Sequence, residues 1–222
     1  MNDRLVIAID GPSGSGKSTT SKGVARALGL AYLDTGAMYR AIACAYLDAG
    51  VDPSDTAGVI AATLGAKLEI STDPDVEQVV VNGIDVTERI RSQEISTKVS
   101  AVSTVPECRA DLVARQRAII EAAPRGIIAE GRDITTVVAP DADVRLLLTA
   151  DPEIRMARRQ RDLGGDVDAA ALADQVLRRD RDDSKLVNFT TAADGVTHLD
   201  CTYLSLEETI QAVLDLVAST RG

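Results

Sequence analysis

The chain has 222 residues, with 24 basic and 34 acidic side chains and a formal charge of −10. That balance lacks the basic footprint that non-specific binding to nucleic-acid polymers requires, and aromatic residues at 2% offer no stacking platform for single strands. Hydrophobic content of 45% beside 26% charged residues is that of an ordinary soluble chain of one or two domains.

Residues 5–9 (LVIAI) form a short continuous apolar run, the pattern of a strand buried on both faces. The run stops at Asp10 and is too short for a signal peptide, and no stretch nears the roughly 18 to 20 apolar residues of a spanning helix. Neither a membrane partner nor export is expected, and the cytoplasm is the expected compartment. Glycines follow at once. Gly11-Pro12-Ser13-Gly14-Ser15-Gly16-Lys17-Ser18 satisfies GxxxxGK[ST] without a mismatch. Glycines let successive backbone N–H groups face one anion, and the helix expected over 17–28 adds its positive end. Lys17 would reach the β- and γ-phosphates of a nucleotide, and the Ser18 hydroxyl would ligate Mg²⁺.

A second strand over 31–33 leads into Asp34-Thr35-Gly36-Ala37-Met38-Tyr39-Arg40 and a helix through Leu47. Strand–helix alternation of this kind predicts a doubly wound α/β fold. Between about 50 and 90 the pattern changes. Short strands at 67–71, 78–81 and 84–86, with a hairpin turn at Asn82-Gly83, predict an inserted antiparallel sheet. Asp55-Thr56-Ala57-Gly58 and Asn82-Gly83-Ile84-Asp85 loosely match GTPase motifs, but both are better explained as local turn chemistry. Residues 93–122 read as helical with a break near Pro106.

Strands at 126–129, 144–148 and 197–199 then alternate with helices at 152–163, 169–181 and 206–218, the last opened by a capping box of Ser205 and Glu208. Cys44, Cys108 and Cys201 are odd in number and widely spaced, so they read as small buried hydrophobes and not as disulfides or a zinc site. His198 has no neighbours that resemble a catalytic triad. Two groups at strand ends carry arginine, DTGAMYR at 34–40 and Glu130-Gly131-Arg132-Asp133. A helix after Pro152 adds Arg155, Arg158 and Arg159 at three- and four-residue spacing, on one face. Arginines at two strand ends beside a phosphate-binding loop are where a second phosphate would be held bidentately, which points to transfer between phosphates.

The ordered set GPSGSGKS, DTGAMYR, Ser100 with Arg109, EGRD followed by Thr136-Val137-Val138, and Arg179 through Ser184 resembles the bacterial cytidylate kinases over nearly the whole chain. The resemblance implies a three-layer P-loop kinase core with a parallel sheet, a short lid and an inserted small antiparallel β-subdomain for the monophosphate. By position, 1–40, 98–154 and 169–222 would form the core, 41–97 the monophosphate subdomain and 155–168 the lid. The implied reaction moves the γ-phosphoryl group of ATP to CMP or dCMP with Mg²⁺. Gly11, Pro12, Ser13, Gly14, Ser15, Gly16, Lys17, Ser18, Thr19 and Arg158 would bind ATP. Lys17, Arg132, Arg155 and Arg159 would be catalytic. Arg40 and Arg132 would hold the CMP phosphate, Thr35 would lie near the base, Ser100, Arg109 and Asp133 would read cytosine, and Arg179 with Asp183 would meet the ribose. The family's further arginine just beyond the Asp183 position is missing, and Lys185 is the nearest cation.

Another small-molecule kinase is the nearest alternative, but 161–169 leaves room only for a short turn at Gly164-Gly165 and not a long lid. A nucleotide-dependent protein switch would need the GTPase motifs that fail here on context. The partners expected are ATP and CMP or dCMP, with no nucleic-acid polymer and no membrane, acting on a monomer. The charge is uneven: residues 48–88 hold nine acidic residues against Lys67 alone, a net of −8, so the rest is near neutral and its arginines gather where two phosphates would meet.

Overall fold

Strand β1 (Leu5–Asp10) is the apolar run at the start of the chain, and it sits at the centre of a five-stranded sheet. The computed structural model describes residues 4–162 and 191–221. Within it the strand order is β2 (Ala31–Asp34), β6 (Gly126–Gly131), β1, β7 (Val144–Thr149) and β8 (Thr197–Asp200). Strand β1 pairs in parallel with β6 and β7, and β7 in parallel with β8. Asp10 lies opposite both Gly131 and Leu147, so β1 and β6 end level, β7 runs two residues further, and all three open onto one carboxyl edge. Ligands of open α/β sheets bind at such an edge.

The chain divides into two compact units, Met1–Tyr32 with Ala123–Gly222, and Leu33–Ala122. In the first, helix α1 (Lys17–Leu28), ending at Gly29, and the C-terminal helix Leu206–Arg221 cover the sheet. Ile7, Ile9, Val24, Leu146, Leu148 and Val213 form the centre of its core. Burial of each such side chain contributes about 1.5–3 kcal/mol, which sets the sheet as a rigid platform. The C-terminal helix opens as its sequence predicts: the Ser205 N–H donates to Glu208 Oε2 (2.8 Å) and the Glu208 N–H donates to Ser205 Oγ (3.1 Å).

In the second unit, α2 (Thr35–Asp48) buries Ile42, Cys44 and Tyr46 among its residues, and α6 (Pro106–Ala122) buries Cys108 and Leu112. The expected antiparallel sheet is present, in the order β3 (Leu68–Ile70), β4 (Val79–Val81) and β5 (Ile84–Asp85). Its hairpin turns through Asn82 (φ 52°) and Gly83 (φ 80°), the paired positive angles that favour Asn-Gly. The Asn82 side chain also accepts from the Lys67 N–H at 2.9 Å.

The insert holds one element that sequence reading passed over, helix α3 (Thr56–Gly65). Its segment TAGVIAATLG is apolar on most sides, so helical periodicity is weak in it. Asp55 is its N-cap, accepting from the Gly58 N–H at 3.0 Å, which gives the DxxG match a local structural role. Helices α4 (Gln93–Lys98) and α5 (Ser100–Ser103) precede the break at Pro106, and α7 (Pro152–Asp162) follows β7. The helix expected over 169–181 lies outside the described residues. All three cysteines are free and buried, and burial pushes the Cys44 thiol up to about 11, away from the reactive range.

The capping box carries a pH dependence. Bonds from the Ser205 N–H and then its hydroxyl hold the Glu208 carboxyl below the usual range, so its stabilisation is present above the unfolded pKa and lost as pH falls through the folded one. Glu208→Gln is therefore expected to lower Tm at pH 7 and to lower it progressively less as pH falls and the wild-type carboxyl takes up its proton; thermal melts across the acid range read this directly.

Candidate active site

Leaving β1, the backbone must turn sharply into α1, and glycine is required where it does. Gly11 has φ 154°, and a Cβ there would lie 2.1 Å from the Leu148 carbonyl oxygen. Gly14 has φ 76°, and a Cβ there would lie 2.5 Å from the Arg155 carbonyl oxygen. Side chains at either position would collide with backbone. The loop ends at Gly16, which caps α1 without a side-chain hydrogen bond, so the first-turn N–H groups of the helix point into the loop's hollow. Lys17 Nζ donates to the Pro12 carbonyl at 3.0 Å, which folds its ammonium over the loop. Ser18 and Thr19 are exposed at the start of α1.

Helix α7 holds the loop from outside. Arg155, buried, donates from Nη1 to the Ser13 carbonyl at 3.0 Å. Arg158, one turn on, donates from Nη1 to the Ser15 carbonyl (3.2 Å) and from Nη2 to the Cys201 carbonyl (3.0 Å). The Cys201 thiol reaches the same Ser15 oxygen at 3.2 Å. The three-residue spacing of Arg155 and Arg158 thus puts two guanidinium groups on alternate carbonyls of one loop. The Arg159 side chain lies outside what the structure describes.

Beside the loop is a cavity of about 360 Å³, lined by Gly14, Gly16 and Thr19 on one side and by Leu204, Leu206 and Arg158 on the other. Leu204 to Leu206 were not among the site residues expected. An apolar pair just past a strand's carboxyl end was the available cue, but as letters they also suit the start of a helix. Behind them, Asp200 accepts from the Thr202 hydroxyl (2.6 Å) and N–H (2.9 Å), and Thr202 Oγ1 accepts from the Asp151 N–H (2.9 Å). These bonds hold the Asp200 carboxyl below its ordinary range and fix the chain that forms the cavity wall.

The end of β6 carries the second group. Glu130 is buried and accepts from the Tyr32 hydroxyl at 2.7 Å, and Lys22 sits 5.5 Å above the Tyr32 ring. Arg132 follows half-buried, and Asp133 is 5% exposed. Residues Ile134–Val138 then form a π-helical turn, with the Asp133 carbonyl accepting from the N–H groups of Val137 and Val138. Burial pushes the Asp10 carboxyl at the end of β1 above the usual range, opposed by hydrogen bonds from Thr135 and Ile134.

In the second unit, Asp34 caps α2. Its Oδ1 accepts from the Ala37 N–H and its Oδ2 from Arg40 Nη2, each at 2.9 Å. Arg40 is thereby held along the first turn of α2, beside buried Thr35, with 18% of its side chain exposed. Gly36 keeps that approach open, since a Cβ there would lie 2.9 Å from Arg40 Nη1. Ser100 starts α5 and is exposed, while Arg109 in α6 donates back to the Ser103 carbonyl at 3.4 Å. Both stand at the α5–α6 corner. Arg179, Asp183 and Lys185 lie outside the described residues.

Three comparisons bear on this arrangement. The family model described as cytidylate kinase matches residues 7–219. A protein named cytidylate kinase from Cutibacterium acnes is 55% identical over 218 residues, covering 97% of each chain, and one of the same name from Streptomyces coelicolor is 48% identical over 98% of this chain and 94% of its own. An uncharacterized protein from Eubacterium ventriosum shares the fold, with a TM-score of 0.53 at 11% identity over 97% of this chain and 99% of its own.

The joint made by Arg158 can be tested by itself. Arg158→Ala takes the charged donor from the Ser15 carbonyl, leaving it the Cys201 thiol, and removes part of the cavity lining. It is expected to weaken nucleotide binding by about tenfold in equilibrium titrations, in keeping with loss of a charged hydrogen bond.

Proposed function

Because the chain belongs to the cytidylate kinase family, we infer that it transfers the γ-phosphoryl group of ATP to CMP or dCMP by direct in-line displacement, with no covalent enzyme intermediate. The observation that carries this reading at the level of residues is the glycine loop at the end of β1, clamped from α7 by Arg155 and Arg158. Such transfer asks for positioning and charge neutralisation more than for a strong base. Backbone N–H groups of Gly11 to Ser18 would cradle the phosphates of ATP, with Lys17 moving from the Pro12 carbonyl onto the β- and γ-oxygens. Thr19 and the cavity beside Gly14 and Gly16 would take the nucleoside end, with Leu204 and Leu206 as its apolar wall.

Mg²⁺ fits the donor set at the start of α1. It keeps most of its water and is held chiefly by substrate phosphates, so one exposed hydroxyl, that of Ser18, is a sufficient protein ligand. When bound it would neutralise charge across the β- and γ-oxygens. Arg132, with Arg155 and Arg159 of α7, would stabilise the transferring group, Arg155 by exchanging the Ser13 carbonyl for a phosphate oxygen.

The acceptor assignments rest on the motifs and on donor–acceptor chemistry. Arg40 and Arg132 would hold the CMP phosphate as bidentate forks, and Arg179 with Asp183 would meet the ribose. Thr35, Ser100, Arg109 and Asp133 would surround the base. Cytosine presents an amino donor at position 4 and acceptors at N3 and O2, which a carboxylate and an arginine match. Uracil reverses both, setting a carbonyl against Asp133 and an N–H against Arg109. Such mismatched polar groups cost enough for about a hundredfold discrimination. The subdomain reading of 41–97 and the lid at 155–168 belong to the same proposal, as do a monomeric state, a cytoplasmic setting and the absence of nucleic-acid partners. Among the described residues no helix is long and apolar enough to cross a membrane.

A coupled assay of ADP release across CMP, dCMP, UMP, AMP and GMP tests the activity: CMP and dCMP are expected to lead, and equal rates on all five would overturn it. Base reading has its own test. Asp133→Ala is expected to lower kcat/KM for CMP by about a hundredfold while leaving residual UMP turnover near its starting value. An unchanged CMP-to-UMP preference would remove Asp133 from that role.

A further inference from the structure

The π-helical turn after Asp133 is not capped by the residue that precedes it. Asp133 stands at the N-cap position of Ile134–Val138, yet its side chain makes no capping hydrogen bond to the turn. The first two N–H groups of the turn are instead taken by a residue 124 positions earlier in the chain. Asp10 Oδ1 accepts from the Ile134 N–H at 2.9 Å, and Asp10 Oδ2 accepts from the Thr135 N–H at 2.8 Å and from Thr135 Oγ1 at 2.6 Å. Asp10, Ile134 and Thr135 are all buried, so water does not compete for these bonds. From β7, Arg145 Nη1 donates to the Thr135 carbonyl at 3.4 Å.

Asp10 is the last residue of β1 and precedes Gly11, the first of the phosphate-binding loop. Its carboxylate therefore ties the root of that loop to the segment that carries Arg132 and Asp133. We propose that Asp10 and Thr135 are positioning residues for phosphoryl transfer: they take over the capping of the turn and hold Arg132 and Asp133 at a set distance from the loop. The proposal rests on the reading of Asp133 as a base-reading residue, and it adds what places that residue.

Thr135→Val keeps the side chain's shape and removes one of the three bonds; Thr135→Ser keeps the hydroxyl. Asp10→Asn is the stronger change, because its amide NH₂ would face an N–H donor and leave it unpaired. Thr135→Val is expected to lower kcat/KM for CMP by about tenfold and to narrow the CMP-to-UMP preference, with KM for ATP changed less than about twofold. Thr135→Ser is expected to restore both, and Asp10→Asn to exceed Thr135→Val in the same direction. Melting temperatures of the Thr135 variants confirm that folded enzyme is compared. Equal losses toward CMP and ATP, or an unchanged CMP-to-UMP preference in Thr135→Val, would overturn the proposal. Asp133→Ala run in parallel separates the two ideas. If it shifts the preference and Thr135→Val does not, only the positioning role fails; if it leaves the preference unchanged, the base-reading role fails and the positioning role with it.

Discussion

The turn out of β1 is the constraint on which the carboxyl edge depends. A loop that presents consecutive N–H groups to an anion has to curl tightly, and here it curls against the Leu148 and Arg155 carbonyls with no room for a Cβ at Gly11 or Gly14. Such a loop directs its own carbonyls outward, and each of those needs a donor. Arg155 and Arg158 of α7 provide them at Ser13 and Ser15, and Cys201 adds a thiol at Ser15. Hydrogen bonds from charged donors are about twice as strong as neutral ones, so the loop is held in shape independently of what it binds. That is preorganisation in its simplest form, with donors fixed before charge arrives.

A second theme is how an acidic chain accommodates anions. The excess negative charge is concentrated in 48–88, much of which is the three-stranded insert and its flanking turns. Several carboxylates elsewhere are engaged by local donors. Asp34 caps α2 and pairs with Arg40, Asp10 accepts three hydrogen bonds, and Glu130 takes the Tyr32 hydroxyl. A carboxylate surrounded by donors contributes far less repulsion to a nearby phosphate than its formal charge suggests. Net charge describes the protein's behaviour at long range, while the loop and its arginines act within a few ångströms, where screening is weak.

Much of the architecture was legible because its cues are local. The apolar run of β1, the Asn82-Gly83 turn, the break at Pro106 and the Ser205–Glu208 box each specify backbone geometry within a few residues, and each is found as expected. Helix α3 was not legible, since a short segment that is apolar on most sides has no clear period to read. In the candidate site, GPSGSGKS announced the loop, and helical spacing announced that Arg155 and Arg158 act on one side. Their actual partners, the Ser13 and Ser15 carbonyls, were not announced, because a carbonyl that needs a donor leaves no mark in the letters.

By itself the sequence determined most of the strands and helices and the phosphate-binding loop, through patterns whose physics lies in neighbouring residues: glycine where φ is positive, alternation of apolar runs, capping residues at helix starts. The family was legible by resemblance, from the order of its motifs. The tertiary structure alone decided which distant groups meet. That Asp10 caps a turn 124 residues away, that Cys201 backs the loop at Ser15, and that Leu204 and Leu206 line a cavity beside Gly14 all follow from the strand order β2-β6-β1-β7-β8. That order brings the ends of β1, β6, β7 and β8 to one edge, and only there do their unsatisfied donors and acceptors find one another.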